Sequence, residues 1–231
     1  MGYYYWDPTY ILVVIGAVIC MIASARVKGT FNKYSQLRSM SGMNGAQVAQ
    51  RVLQAAGIYD VQVRHVSGSL TDHYDPRTKT VNLSDPVYNA TSVAALGVAA
   101  HECGHAVQHA RMYAPLKMRS ALVPVVNFAS SIMTWVLLGG ILLVNSFPQL
   151  LLAGIILFAM TTLFSFITLP VEINASKRAL VWLSSSGITN SYNHAQAEDA
   201  LRSAAYTYVV AALGSLATLV YYIMIFMGRR D

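Results

Sequence analysis

ALVPVVNFASSIMTWVLLGGILLVNSFPQLLLAGIILFAMTTLFSFITL, residues 121–169, contains no Asp, Glu, Lys, Arg or His. A helix needs about 20 apolar residues to cross the hydrocarbon core of a bilayer. The stretch therefore holds two crossings, about 121–147 and about 149–169. Only a few residues around Pro148 separate them, which predicts a tight helical hairpin. The fold follows from this: the chain lives in lipid.

Working outward, two more apolar segments appear at about 10–25 and about 205–228, making four spans. The composition agrees, with 55% apolar and 11% charged residues against about 25% charged in a soluble domain. Tyr3, Tyr4, Tyr5 and Trp6 suit an interfacial aromatic belt before the short first span. Ala23, Ser24 and Ala25 resemble a signal-peptide cleavage site, but Asp7 and no basic residue precede the span, while Arg26 and Lys28 follow it. That order of charges predicts an uncleaved anchor with its N-terminus outside.

The net charge of +6 and pI near 9.4 do not point to nucleic acid, because the basic residues form no dense run interleaved with aromatics. They report topology instead. Fourteen of the 16 Lys and Arg fall in the two loops that four spans place on one side. By the positive-inside rule that side is cytoplasmic, with Arg229 and Arg230 as the exceptions. Cys20 and Cys103 form neither a disulfide framework nor a cysteine-rich zinc spacing, and read as small packing residues.

The non-membrane material lies mainly between the first two spans. Residues 44–57 carry Ala46, Val48, Ala49, Val52, Leu53 and Ala56 at helical spacing and end on Gly57. VQVRHVSGSLTDHYDPRTKTVNLS, residues 61–84, is rich in β-branched residues and punctuated by Gly68 and Asp75-Pro76, predicting a small β-hairpin or meander. Residues 79–84 read either as an edge strand onto which an extended peptide could add, or as an ordinary structural strand. Thr91 or Ser92 then caps a helix running to about Arg111.

That helix holds VAAHECGHAVQHA, residues 98–110. Residues four apart on a helix are offset by about 40°, so His101 and His105 can share one metal ion. Catalytic zinc takes three protein ligands and leaves the fourth position to water. Glu102, one step around the helix, can take a proton from that water as general base. With six histidines and three glutamates in 231 residues, chance yields about 0.002 such H-E-x-x-H patterns. The alternative is a polar helix face without metal. Zn2+ is the cofactor the pattern calls for.

A third ligand must come from elsewhere. Besides Glu102 the chain has only Glu172 and Glu198. Glu172 lies in LPVEINASKRALVW, residues 169–182, just after the third span and on the side of the motif. A helix starting near Pro170 would put it in a first turn, where the dipole favours an anion. Glu172 is the choice for the third ligand, against the alternative that the dipole alone accounts for it. His109, two turns beyond His101, is about 12 Å along the axis and too far to share the ion. His65, His73, His194 and Tyr88 are each either structural or donors to an oxyanion, and the sequence leaves that choice open.

DHYDPRTKTVNLS, HECGHAVQHA and LPVEINASKRAL, with spans in this order and the late AAYTYVVAALGSL, resemble the bacterial YugP-like neutral membrane zinc metallopeptidases over nearly the whole chain. That family is distantly similar to membrane zinc endopeptidases of the HtpX and CaaX-processing type, whose third ligand is a glutamate followed by x-x-Ala-Asp. Glu172, Ala175 and Ser176 match this except that serine replaces the aspartate. The resemblance implies metal ligands His101, His105 and Glu172, with Asn174, Ser176 or Arg178 orienting groups around the ion.

The expectation is a mainly α integral membrane protein, a single domain over residues 1–231. Its four spans anchor an α+β zincin-like catalytic region formed by residues 26–120 and 170–204. Its partners are a protein or peptide substrate and the lipid bilayer, and its setting the bacterial plasma membrane with the site facing the cytoplasm. The expected function is a zinc endopeptidase. One alternative is intramembrane proteolysis, with the motif helix dipping into lipid through apolar residues 93–100; another is a noncatalytic scaffold or metal-binding adaptor. A transporter is disfavoured, because the spans hold almost no ionisable residue to mark a pathway.

Overall fold

The computed structural model describes residues 10–190 and 193–228. The aromatic run at residues 3–6, Asp7, Arg229 and Arg230 lie outside them. The elements in order are α1 (Tyr10–Ser35), α2 (Gly45–Ala55), β1 (Gln62–Val66), β2 (His73–Asp75), β3 (Thr80–Ser84), α3 (Asp85–Tyr88), α4 (Val93–Ala110), α5 (Ala114–Leu142), α6 (Pro148–Ser185) and α7 (His194–Met227). Helix dominates, beside one small mixed sheet. The internal contacts divide the chain into two compact units.

The first unit consists of Met118–Thr168, the chain before Ser24 and the chain after Thr207. It is built from parts of α1, α5, α6 and α7, the four helices long and apolar enough to cross a membrane, with mean hydropathy between 1.8 and 2.4 over their best windows. Phe128, Trp135 and Leu142 are largely exposed, an arrangement that suits lipid and would be costly in water. Leu137, Leu151 and Ile155 form a small buried cluster. Gly140 permits it: a Cβ there would stand 2.6 Å from Leu151 Cα, so only glycine lets the α5 and α6 backbones meet.

Four expectations about the helices change. α1 continues ten residues past the predicted end of the first span, to Ser35, and α7 begins at His194, before the fourth span. α5 ends at Leu142 instead of near Phe147, while the hairpin at Pro148 is as expected. No new helix starts near Pro170. α6 runs 38 residues without a break, with Pro170 inside it. A proline removes one backbone donor and crowds the preceding turn, a cost that long membrane helices tolerate where neighbours re-satisfy the freed groups. Glu172 therefore lies far from a helix N-terminus, and the dipole does not explain its position.

The second unit, Ser24–Lys117 with Leu169–Thr207, holds the sheet, α2, α3 and α4. α2 starts as predicted, with a reciprocal box in which Asn44 Oδ1 accepts from Gln47 N at 2.9 Å and Gln47 Oε1 from Asn44 N at 3.0 Å. Gly57 follows it in the left-handed region, φ 72°. Its apolar face, Val48, Ala49, Val52 and Leu53, packs with Leu96, Ala99, Ala100 and Cys103 of α4, and with Val81 and Leu83 of β3. Full burial of each such leucine is worth about 1.5–3 kcal/mol.

The sheet order is β1-β3-β2. β2 and β3 form the predicted antiparallel hairpin, but β1 runs parallel to β3, so the meander is corrected. Residues 79–84 are likewise not an edge strand. β3 is central and buried at all five positions, because Val81 and Leu83 supply one covered face while Thr80, Asn82 and Ser84 find polar partners on the other. The mostly exposed β1 takes an edge instead.

Candidate metal centre

α4 is capped by Ser92, not Thr91: Ser92 Oγ accepts from Ala95 N at 3.3 Å. From this cap the helix carries an apolar face against α2 and the sheet, and its partly polar side brings His101 and His105 together with ring centroids 4.9 Å apart. Glu172 arrives from α6. Its Oε2 lies 3.3 Å from His101 Nε2 and 3.5 Å from His105 Nε2. All three ligand atoms fall within 4.8 Å of one another, forming the group of metal-capable side chains found among the described residues. Their side chains are 15%, 9% and 3% exposed.

Close helix packing makes this possible. Gly104, between the two histidines, faces Ala175, between Glu172 and Ser176. A Cβ on Gly104 would lie 2.8 Å from the Ala175 carbonyl oxygen. Without that methyl, α6 comes close enough for a carboxylate as short as glutamate to reach both imidazoles.

The outer nitrogens of the two rings have partners of their own. His101 Nδ1 is 3.1 Å from Ser176 Oγ, and His105 Nδ1 is 3.0 Å from Gln108 Oε1. Both Nε2 atoms are therefore turned toward the carboxylate. Two imidazole Nε2 atoms and a carboxylate facing one another in a buried pocket attract a cation, and this nitrogen and oxygen set, with an Nδ1 partner on each ring, is the donor chemistry of zinc. The residues present fit that ion. The same field acts on protons: burial lowers the His105 pKa, but hydrogen bonding to Glu172 and the charges of Glu102 and Glu172 outweigh it and raise the value above the ordinary histidine range.

Glu102 is buried beside the ligands, and its charge reinforces burial in pushing the neighbouring Cys103 thiol up. Cys103 donates to the Ala49 carbonyl at 3.4 Å, which makes it part of the α2–α4 contact. The remaining histidines are engaged elsewhere. His65 pairs with Asp85 at 2.6 Å and packs edge-on to Tyr88. His73 contacts Thr71 O and Asn82, and His194 contacts Thr189. His109 pairs with Tyr74 at 2.7 Å; burial, ahead of the charges of Asp60 and Asp75, pushes the Tyr74 phenol up to about 12.

A family model described as "Putative neutral zinc metallopeptidase" matches residues 9–227. The chain belongs to this family. Among relatives of the neutral zinc metallopeptidase family, "Putative membrane protease YugP" of Bacillus subtilis (strain 168) is 45% identical over 223 residues, covering 96% of this chain and 98% of that one. No solved structure matches the chain.

One buried residue beside this cluster escapes the sequence reading. Gln108 is fully buried, touches His105, and donates from Nε2 to Val171 O at 2.8 Å and to Asn174 Oδ1 at 3.0 Å. The available signal was its place three residues after His105, which puts it on the same side of the helix. Of the three residues expected to orient groups around the ion, Ser176 contacts His101 directly, Asn174 contacts Gln108, and Arg178 contacts Asn174.

Proposed function

We propose that the chain is a membrane-anchored zinc-dependent endopeptidase. His101, His105 and Glu172 hold the ion and Glu102 is the general base. The observation that carries this reading is the convergence of two Nε2 atoms and one carboxylate within 4.8 Å in a buried pocket. A bound zinc ion supplies Lewis acidity to water and to a peptide carbonyl.

The residues do the rest. Glu102 accepts a proton from the attacking water and delivers it to the leaving amine nitrogen, so the carboxylate must remain unliganded. Glu172 and the two histidines keep the ion in place. The low polarity of their surroundings strengthens each electrostatic contact. The catalytic region comprises residues 26–120 and 170–204, with the spans as its anchor and protein or peptide as substrate. By the distribution of Lys and Arg it faces the cytoplasm at a bacterial plasma membrane. Intramembrane proteolysis gains nothing from α4, which is not among the four helices long and apolar enough to cross a bilayer.

The test is zinc content and casein cleavage of detergent-purified wild type, Glu102→Gln and Glu172→Ala. The expected pattern is about one zinc with cleavage, zinc without cleavage, and neither. Cleavage by Glu102→Gln at the wild-type rate would overturn the assigned base. If wild type holds no zinc, or holds zinc but does not cleave, the protease reading fails, and in the second case a metal-binding adaptor takes its place.

A further inference from the structure

The geometry points to a relay, Arg178 to Asn174 to Gln108 to His105, that sets which nitrogen of His105 faces the metal pocket. The inference rests on the metal centre proposed above and concerns how that centre is prearranged.

The direction of the relay follows from hydrogen-bond chemistry. Arg178 has donors only, and its Nε donates to Asn174 Oδ1 at 2.7 Å. The same Oδ1 lies 3.0 Å from Gln108 Nε2, which is also 2.8 Å from the carbonyl of Val171. An oxygen of Gln108 placed there would face two acceptors, so the amide nitrogen must occupy that position. Gln108 Oε1 is then turned to His105 Nδ1 at 3.0 Å, and an amide oxygen can only accept. In the neutral ring Nδ1 must then carry the proton, so Nε2, 3.5 Å from Glu172 Oε2, is the nitrogen left to bind an ion.

A neutral imidazole in solution samples both tautomers, and only the one with Nε2 bare can bind an ion here. The relay removes the other. At His105 Nδ1 the partner is a side-chain amide oxygen, in place of the carboxylate, backbone carbonyl or water that a ligand histidine usually has. His101 differs. Its partner Ser176 Oγ can donate or accept, so the relay acts on one of the two rings. Gln108 and Arg178 are positioning residues: both act through His105.

The relay is tested with zinc affinity, measured by chelator competition on the detergent-purified full chain, and with histidine 15N NMR of the zinc-loaded protein. Gln108→Met, close in volume but without the amide, should weaken zinc binding about 10- to 100-fold and lose the protonated Nδ1 signal of His105. Arg178→Met, at a half-buried position that leaves the core intact, should weaken it by a smaller factor and move the same signal. It carries the test if Gln108→Met fails to fold. Unchanged zinc affinity and an unchanged Nδ1 signal in the folded variants would overturn the relay while leaving the metal centre standing. A wild type that binds no zinc would overturn the centre, and with it the relay.

Discussion

Gly104 and Ala175 bring α4 and α6 into close backbone approach, and a Cβ at Gly104 would stand 2.8 Å from the Ala175 carbonyl oxygen. The neighbour is helix backbone, so it cannot swing aside. Gly104→Ala should force the helices apart, destabilise the protein by about 1–3 kcal/mol and lower zinc occupancy. Thermal melting and metal analysis on the same preparation check this. A Tm and zinc content equal to wild type would show that the contact has slack.

Ser176 is the partner of His101 Nδ1 at 3.1 Å. Ser176→Ala removes one hydrogen bond worth about 1 kcal/mol and leaves the backbone undisturbed. The expected result is a folded protein whose zinc binding is weaker by about tenfold, read by chelator competition.

Metal removal should be visible in stability. A ligand bound only by the native state at 100 times its Kd adds about 2.7 kcal/mol, so zinc should raise the Tm of the chelated wild type by several degrees. Glu172→Ala should show no such rise. A zinc-dependent Tm that survives Glu172→Ala would mean the stabilising ion sits elsewhere.

Asp85 provides a pH-dependent contact away from the centre. The backbone N–H of Gly68, donating at 2.8 Å, and then His65 at 2.6 Å hold its carboxyl below the usual aspartate range. The folded pKa is lower than the unfolded one, so the stabilisation is present above the ordinary aspartate pKa and is lost as pH falls through the folded value. Below about pH 4 the segment from Gly68 to Asp85 should exchange amide hydrogens faster. Asp85→Asn should show that faster exchange already at neutral pH, with little change in global Tm.

Several parts of this architecture are legible in local sequence because local forces decide them. The apolar length of residues 121–169 and the break at Pro148 specify two crossings. Asn44 with Gln47 specifies the start of α2, and Gly57 its end. The i, i+4 spacing of His101 and His105 puts both rings on one face. The structure places Glu172 beside both rings, although the local reason for choosing it does not hold: Pro170 does not start a helix. The scarcity of glutamate carried that choice.

Other features are set by partners distant in the chain. β3 lies between β1 and β2 because Val81 and Leu83 are covered by α2 and α4, and no pattern within residues 61–84 records that cover. Gln108 reads as a polar residue near a helix end, yet it is fully buried because Val171 and Asn174, more than sixty residues later, satisfy its amide. By itself the sequence determines the four long apolar helices and the shared face of His101 and His105, since hydropathy and helical periodicity act over short distances. Only the tertiary structure decides the strand order, the Gly104–Ala175 approach and the Gln108 relay, because each depends on groups that meet after the chain has packed.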